Sequence, residues 1–413
     1  MNFDKILYSF YDYVKNKTNF FNLILRKTHL YRNIENMNSN TSSEVSIVRC
    51  ADYARGSIMT AVRQAVDLLG GMQAFIKPGE RVLLKPNLLK ANRPEEAVTT
   101  HPEVVRAVIR LVREAGGEPV VGDSPGFGDL RKVCEKAGIM DVIQEEGSML
   151  ADFDETITIK NSGRFQRFEI SRLAYEADAI INLPKLKTHG MTVITGAVKN
   201  LFGCVPGKRK VQWHFNAGIN HDLFMQMIVE LYAQLKPRLS IMDAVIGMEG
   251  NGPGSGDPRY IGAVVAGPDA VAVDVVSAAV LGIPPESLPI IRAAAALGIG
   301  QTRFDRITVR GEPLSRVAIR NFRLPPKTHT EWPLPEWLRG SLKNAFTSKP
   351  VIRHGMCPKC GVCQSHCPQG AISMVGKRME IRYRDCIRCF CCQEFCPCGA
   401  ITVGKGWALR MIK

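Results

Sequence analysis

The C-terminal part of the chain contains a cysteine pattern that occurs twice. Each copy reads C-x2-C-x2-C-x3-C-P, and the second copy starts at Cys386, 29 residues after Cys357. Thiolates are soft ligands, and this spacing is typical of iron–sulfur clusters. Structural zinc would use two C-x2-C pairs separated by a long gap, and a disulfide scaffold would need an oxidising compartment. The pattern therefore predicts iron–sulfur ligands.

Within each copy, three closely spaced cysteines wrap one corner of a cubane, whereas the cysteine before proline ligates the other cluster. The spacing thus predicts two [4Fe–4S] clusters with crossed ligands. One cluster is assigned to Cys357, Cys360, Cys363 and Cys396, and the other to Cys386, Cys389, Cys392 and Cys367. Residues 350–406 resemble the bacterial-type ferredoxins with two such clusters. Cys391 and Cys398 are extra thiols beside the second copy, and we interpret both as packed thiols, although Cys391 could compete for iron.

The charge and length of the chain narrow the range of functions. It has 413 residues, which predicts two or three domains, and a formal net charge of +15. From residue 350 to the end there are ten Lys and Arg against three Asp and Glu. Two anionic clusters would neutralise part of that surplus, and no basic stripe with interleaved aromatics occurs, so we expect no nucleic acid. The expected partners are an acidic redox protein and a small anionic ligand.

The sequence contains no run of 18 apolar residues, so we expect no integral membrane span. Ten of the 13 cysteines lie in the last 57 residues. Such a concentration favours metal binding in a reducing compartment, and we expect the protein in the cytoplasm.

The chain divides into regions of different composition. Residues 1–43 are interpreted as a dispensable extension, because the first 40 residues contain no Gly, Ala or Pro. From residue 44 to 324, strand-like and helix-like segments alternate, which predicts an α/β domain with a mostly parallel sheet and helices on both faces. Residues 325–349 form a Pro-rich linker, residues 350–406 a small α+β ferredoxin-type domain, and residues 407–413 a tail.

Polar residues follow the predicted strands at the edge where open parallel sheets bind ligands. We predict that an anionic ligand or cofactor, or a divalent metal ion, binds there. Proton transfer or metal binding is assigned to Asp123, Asp243, Glu249 and His189. Ligand binding is assigned to Lys85, Asn87, Lys185, Lys187, Lys199, Asn200 and Asn251. Lys185, Lys187 and His189 are expected in one loop, and each residue alone also fits a helix cap or a solvated charge.

Five segments of the α/β region resemble the family known as domain of unknown function 362. They read KPN at 85–87, GDSP at 122–125, NLPKLKTH at 182–189, GAVKNLFG at 196–203 and GMEGNGP at 247–253. The likeness covers about residues 47–310. It implies a C-terminal ferredoxin domain and a distant relation to the nickel-dependent lactate racemase fold, which is a fold-level analogy. It implies no defined reaction and no residue roles.

The leading hypothesis is an iron–sulfur redox protein whose ferredoxin domain exchanges single electrons with a ligand at the sheet edge. One alternative is a non-enzymatic electron carrier or cluster-maturation partner whose α/β domain docks a protein. Another is a racemase-like enzyme with structural clusters and no redox step. A compact polar pocket would favour an enzyme, and a flat apolar patch would favour docking.

Overall fold

The computed structural model describes residues 43–207, 209–210, 213, 221–325 and 348–404. The expected extension, nearly all of the expected linker and the expected tail lie outside the described residues. The first strand begins at Ser43, whose hydroxyl donates to Asp269 Oδ2 at 3.2 Å, so residue 43 is part of the α/β unit. Within these ranges, no helix combines the length and the apolar character that crossing a bilayer requires.

Strands and helices alternate in the α/β unit, residues 43–325. The strands are β1 (Ser43–Arg49), β2 (Arg81–Pro86), β3 (Glu118–Gly122), β4 (Met149–Ala151), β5 (Thr156–Lys160), β6 (Arg167–Ser171), β7 (Ala179–Leu183), β8 (Lys185–His189), β9 (Val193–Thr195), β10 (Leu239–Glu249), β11 (Asp257–Gly267) and β12 (Ile307–Gly311). The helices are α1 (Arg55–Asp67), α2 (Pro102–Glu114), α3 (Leu130–Lys136), α4 (Ile139–Glu145), α5 (Arg172–Glu176), α6 (Ala197–Asn200), α7 (His221–Leu235), α8 (Ala270–Val280), α9 (Pro289–Leu297) and α10 (Leu314–Val317).

One large sheet runs through this unit in the order β12-β1-β11-β10-β7-β2-β3-β4, with β8 beside β10 and β9 beside β8. Strand β2 is parallel to β3 and β7, β3 is parallel to β4, β1 is parallel to β12, and β10 is parallel to β7 and β8. The antiparallel pairs are β1 with β11, β10 with β11, and β8 with β9. The sheet is mostly parallel, which confirms the predicted fold class.

Helices cover both faces of this sheet. Along β2, Val82 and Leu84 pack into a core with α1 and α2, whereas Leu83 belongs to a second core with α7 and α8. Successive side chains of a strand point to opposite faces, so a strand that is buried on both sides reads as a continuous apolar run. The run at residues 82–84 has this property.

The segment after β7 differs from the prediction. Lys185, Lys187 and His189 form the strand β8, so the expectation that they share a loop is wrong. Pro184 ends β7, because proline has no backbone N–H to offer the ladder. The Pro184 carbonyl accepts from Asp243 N at 2.8 Å, and the chain then continues in the same sheet beside β10. Residues two apart on a strand share a face, so β8 aligns its three basic side chains.

The C-terminal unit, described for residues 348–404, is small and internally repeated. Its elements are β13 (Lys349–Ile352), α11 (Val362–Ser365), β14 (Ile372–Val375), β15 (Arg378–Ile381), α12 (Cys391–Glu394) and β16 (Ile401–Gly404). Strand β13 pairs with β16, and β14 pairs with β15, both in the antiparallel sense. This is the small α+β unit that the ferredoxin resemblance implies.

The repeat extends to the backbone conformation of this unit. Pairs of residues 29 positions apart have positive φ, namely Lys359 and Arg388 (61° and 59°), Gly361 and Phe390 (77° and 58°), and Gly370 and Gly399 (56° and 60°). This left-handed conformation is costly for a bulky residue. Phe390 nevertheless adopts it, with only 1% of the residue exposed. The two halves therefore share a backbone path but fill it with different side chains.

A buried carboxylate anchors the segment that follows β9. Asp274, on α8, accepts from Ala197 N at 2.5 Å and from Val198 N at 3.1 Å. These N–H groups begin the short helix α6, which carries Lys199 and Asn200. Burial raises the pKa of Asp274 to about 7. Asp274 thus sets the position of two residues from the predicted ligand-binding set.

We expect Asp274→Ala to lower the free energy of unfolding by about 2–4 kcal/mol, because two buried N–H groups lose their acceptor. Asp274→Asn keeps one carbonyl oxygen and should lose less. Denaturant unfolding of both variants at one pH measures the difference. Equal losses would show that the hydrogen bonds from α6 are not what Asp274 contributes.

Candidate functional site

The ferredoxin-type unit packs against the edge at which the parallel strands end. Lys90 donates from Nζ to the Cys396 carbonyl at 3.1 Å, and Gln393 donates from Nε2 to Asn251 Oδ1 at 2.6 Å. A Cβ added at Gly254 would lie 3.3 Å from the Glu394 carbonyl oxygen, so glycine permits this close approach of the two units. The predicted ligand edge is therefore a contact between the two units.

A cavity of about 70 Å³ lies at this contact. The ferredoxin-type unit contributes Glu394 and Phe395 to its wall, and the α/β unit contributes the rest. The predicted site residues that it brings together are Lys85, Asn87, Asp123, Lys187, His189, Lys199 and Asn200. Since one water needs about 10–15 Å³, the cavity has room for about five to seven non-hydrogen atoms.

Lys85 and Asp123 form a buried ion pair in the cavity wall. Lys85 Nζ lies 2.7 Å from Asp123 Oδ1 and donates to the Pro86 carbonyl at 2.9 Å. The carboxylate also accepts from the backbone N–H groups of Leu88 and Ser124, at 2.9 and 2.8 Å. Asp123 is thus occupied as an anchor of two strand ends, and its charge balances that of Lys85.

A chain of asparagine side chains runs beside this pair. Asn87 Nδ2 donates to Asn200 Oδ1 at 2.9 Å, and Asn200 Nδ2 donates to Asn182 Oδ1 at 2.8 Å and to the Lys85 carbonyl at 3.2 Å. Each side-chain amide donates to a neighbouring group, so this series of hydrogen bonds fixes the position of the Asn87 side-chain carbonyl. That carbonyl accepts from Lys187.

Lys187 and Lys199 have no carboxylate partner in the part of the chain that the structure describes. Lys187 is 1% exposed, and its Nζ donates to Asn87 Oδ1 at 2.7 Å and to the Val98 carbonyl at 2.6 Å. Lys199 is half-buried, with its Nζ 5.0 Å from the ring centroid of Phe202. Burial lowers the pKa of Lys199, and it lowers the pKa of Lys187 well below its usual value. A nearby negative charge favours the protonated form of a buried amine, so these two amines and an anion in the cavity would stabilise one another.

His189 joins the α/β unit to the ferredoxin-type unit, since its Nε2 lies 3.1 Å from Glu394 Oε1. Its Nδ1 accepts from Met191 N at 3.0 Å, which assigns the proton of the neutral imidazole to Nε2. Burial lowers the pKa of His189, although the Glu394 carboxylate opposes this effect. A proton is thus held at Nε2 in the cavity wall.

Further polar residues of the cavity are absent from the predicted site. Lys210 donates from Nζ to the carbonyls of Ser124 and Pro125, and burial lowers its pKa to about 7. The hydroxyl of Thr195, a residue 4% exposed, has no hydrogen-bond partner among the described residues. The basic run that ends at Lys210 could have indicated this residue as part of an anion site. The sequence carries no signal for Thr195, or for Glu394, which comes from the other unit.

The structure separates Lys185 and Asp243 from the cavity. Both side chains are buried, and they form an ion pair at 2.9 Å. Lys185 also donates to the Tyr53 hydroxyl at 2.8 Å, and that hydroxyl donates to Asp243 Oδ1 at 2.5 Å. Each of the three groups is hydrogen-bonded to the other two, so we interpret the trio as a structural link between β8, β10 and the start of α1.

Glu249 and Asn251 also lie outside the cavity wall. Glu249 accepts from Arg323 Nε at 2.8 Å and from Arg323 N at 3.0 Å, while Asn251 contacts the ferredoxin-type unit as described above. Across residues 43–325 and 348–404, apart from the gaps, no three His, Cys, Asp or Glu side chains approach closely enough to share one metal ion.

The thiols assigned to the first cluster are neighbours in space. Burial raises the pKa of Cys363 to about 11, and the thiols that raise it further are those of Cys396, Cys357 and Cys360. Cys396 is the residue that the crossed assignment adds to the other three. Thiols placed together resist ionisation unless a metal centre takes up their charge. This group therefore fits a [4Fe–4S] cluster.

The thiols assigned to the second cluster also lie together. Burial raises the pKa of Cys386, and the thiols of Cys389 and Cys367 contribute to the same effect. These three residues and Cys392 line one small cavity, together with apolar groups that include Phe390. The second group fits a cluster in an apolar setting.

The cysteines before proline share a further feature. Ala371 N donates to Cys367 Sγ, and Ala400 N donates to Cys396 Sγ, both at 3.2 Å. Hydrogen bonds to ligand sulfurs are one of the factors that set cluster potentials. The repeat thus places the same N–H···S contact at both crossed ligands.

We expect Cys367→Ser and Cys396→Ser each to damage one cluster, and Cys391→Ser and Cys398→Ser to leave both intact. Only the first two cysteines occupy the position before proline. Iron and acid-labile sulfide are measured after anaerobic reconstitution. Cys391→Ser is the stringent control, because Cys391 is buried beside the second motif, and loss of a cluster there would contradict the ligand assignment.

We expect Lys199→Met and Lys185→Met to change stability in opposite directions. A methionine sulfur can replace the contact of Lys199 with Phe202, and removal of a desolvated charge should raise the free energy of unfolding by about 0.5–2 kcal/mol. Lys185→Met leaves Asp243 buried without its cation, which should cost about 3–5 kcal/mol. Denaturant unfolding of the cluster-loaded protein measures both. A clear loss of stability in Lys199→Met would identify a structural lysine instead.

The chain is similar to a curated protein and, more weakly, to a solved structure. A thylakoid-associated protein of Synechocystis sp. is 42% identical over 303 residues, which are 73% of this chain and 94% of that protein. The lactate racemase apoprotein from Thermoanaerobacterium thermosaccharolyticum has a TM-score of 0.37 and 13% identity, over 56% of this chain and 55% of that chain. The second likeness spans about half of that protein and is too low to support an argument about fold or chemistry.

Two family matches cover the two units. Residues 349–397 match the 4Fe-4S dicluster domain, and residues 82–279 match the domain of unknown function (DUF362). Both agree with the resemblances drawn from the motifs. Together with the extensive identity to the Synechocystis protein, they show that this chain belongs to the domain of unknown function (DUF362) family and contains a C-terminal 4Fe-4S dicluster domain.

Proposed function

We propose that this protein exchanges electrons between two [4Fe–4S] clusters and a small anionic ligand in the cavity. The observation that carries the proposal is the position of Glu394 and Phe395. Both line the cavity, and in the chain they lie between Cys392 and Cys396, which are assigned to different clusters. The ligand would therefore lie beside backbone that belongs to both cluster sites. When bound, such clusters accept and supply single electrons.

The residues of the chain would divide the remaining tasks. Lys187 and Lys199 would hold the negative charge of the ligand, because their own charges are unbalanced. His189 would hold a proton at Nε2, with Glu394 as its acceptor. The Lys85–Asp123 pair would keep the strand ends in place. A concave cavity with several charged side chains in its wall favours an enzyme over a docking module, which would offer a flat apolar patch.

An acidic one-electron carrier is the proposed partner, and the cytoplasm or another reducing compartment is the proposed location. Cys360 is exposed, and the exposed cations Arg353 and Lys359 precede it in the chain. Complementary charge would steer an acidic protein to this side. The thylakoid association of the Synechocystis relative is a property of that protein.

We expect reconstituted protein to contain about eight irons and eight sulfides per chain, and its cluster potentials to depend on anion binding. A unit charge about 10 Å away changes an energy by roughly 1–2 kcal/mol at an effective dielectric constant of about 20. That change corresponds to roughly 40–90 mV for a one-electron couple. Saturating inorganic phosphate should therefore lower at least one midpoint potential in a spectroelectrochemical titration.

Lys199→Met should abolish this shift. Lys132→Met, at an exposed lysine on α3, is the matched control and should retain it. Potentials that ignore a bound anion would favour the alternative in which the clusters are structural and the reaction is not a redox step.

A further inference from the structure

The cavity wall also narrows the class of ligand, an inference that rests on the proposed function and deepens it. We propose that the cavity binds a small oxyanion, which is a carboxylate or a phosphate group on a ligand of about five to seven non-hydrogen atoms. Its binding groups are Thr195, Lys187 and Lys199.

Thr195 is the residue that points most directly to a ligand. It ends β9, lines the cavity and is 4% exposed, yet its hydroxyl has no partner in the described part of the chain. Buried polar groups are normally paired. On the same hairpin, the buried hydroxyl of Thr192 donates to the Ile194 carbonyl at 2.7 Å. The hydroxyl of Thr195 is therefore available to donate to a ligand in the cavity.

The two lysines supply further donors to the same space. An ammonium group has three N–H bonds, and Lys187 uses two of them on Asn87 and Val98. Lys199 makes a ring contact with Phe202 and no hydrogen bond or ion pair among the described residues. The hydroxyl can donate, and the two ammonium groups can only donate, so all three can bind an acceptor. A carboxylate or phosphate group presents several acceptor oxygens and a negative charge, so it satisfies all three.

Charge balance around the cavity leads to the same class of ligand. Asp123 neutralises Lys85 at 2.7 Å, and Glu394 lies beside His189. Because His189 is neutral, the carboxylate of Glu394 offsets one positive charge of the group Lys187, Lys199 and Lys210, and the protonated group keeps a positive surplus. The cavity of about 70 Å³ fits a small oxyanion better than a nucleotide or a tricarboxylate.

Lys210 should make the affinity depend on pH. Burial lowers its pKa to about 7, Asp123 opposes this effect, and the cations Lys85 and Lys199 strengthen it, while the Cys204 thiol also faces it. As the pH rises through about 7, Lys210 loses its proton and the cavity loses a positive charge. We expect the affinity for an oxyanion to fall about threefold to tenfold across this range.

The test is isothermal titration calorimetry on the full-length, cluster-loaded, oxidised protein with inorganic phosphate, propionate and citrate. Phosphate or propionate should bind, at least about tenfold more tightly than citrate. Thr195→Val should weaken binding about fivefold to tenfold, because it removes one hydrogen bond to a charged group. It should leave the melting temperature unchanged or higher, and Thr195→Ser should restore affinity.

Thr192→Val is the matched control. It loses an internal hydrogen bond, so the melting temperature should fall while the affinity stays unchanged. Binding of phosphate alone would identify a phosphate group, and binding of propionate alone would identify a carboxylate. Absence of binding for both, or undiminished binding in Thr195→Val, would overturn the inference. Binding without any change in cluster potential would keep the oxyanion site and overturn the proposed function instead.

Discussion

Uncompensated positive charge at the edge of the sheet is the constraint on which the rest of this site depends. An ammonium group buried without a carboxylate is expensive, so the surrounding structure has to hold it firmly. Lys187 is held by Asn87, which is positioned by Asn200 on α6. The start of α6 is in turn fixed by Asp274. A hydrogen-bonded series thus connects a core carboxylate to a cavity cation.

The cavity belongs to neither unit alone. His189 ends β8 of the α/β unit, and Glu394 ends α12 of the ferredoxin-type unit. Their contact at 3.1 Å exists only when the two units are packed together. Under the proposed function, ligand binding at a site shared in this way would depend on the state of the ferredoxin-type unit, and linkage between two sites acts equally in both directions.

The sequence allowed more of the architecture to be predicted than of the site. Ligand spacing is a local property, so the crossed cysteine groups were readable from the motif, and strand-end polarity predicted the edge at which the cavity lies. Lys185 and Lys187 look alike in the sequence, but β8 carries the first to Asp243 and the second to the cavity. Thr195 and Glu394 were missed because their relevance arises from contacts between distant segments, which no local pattern encodes.

Gly361 and Phe390 occupy equivalent positions of the repeat, and this difference gives the two groups of ligand cysteines different surroundings. In the first half, this position is a glycine without a side chain, and the adjacent Cys360 is exposed. In the other half, a strained phenylalanine lines the space between the thiols. Solvent access stabilises the more highly charged state of a cluster, and exclusion of water opposes it. Under the proposed function, clusters held in two such different settings would have different reduction potentials, and electrons would flow from the cluster of lower potential to the cluster of higher potential.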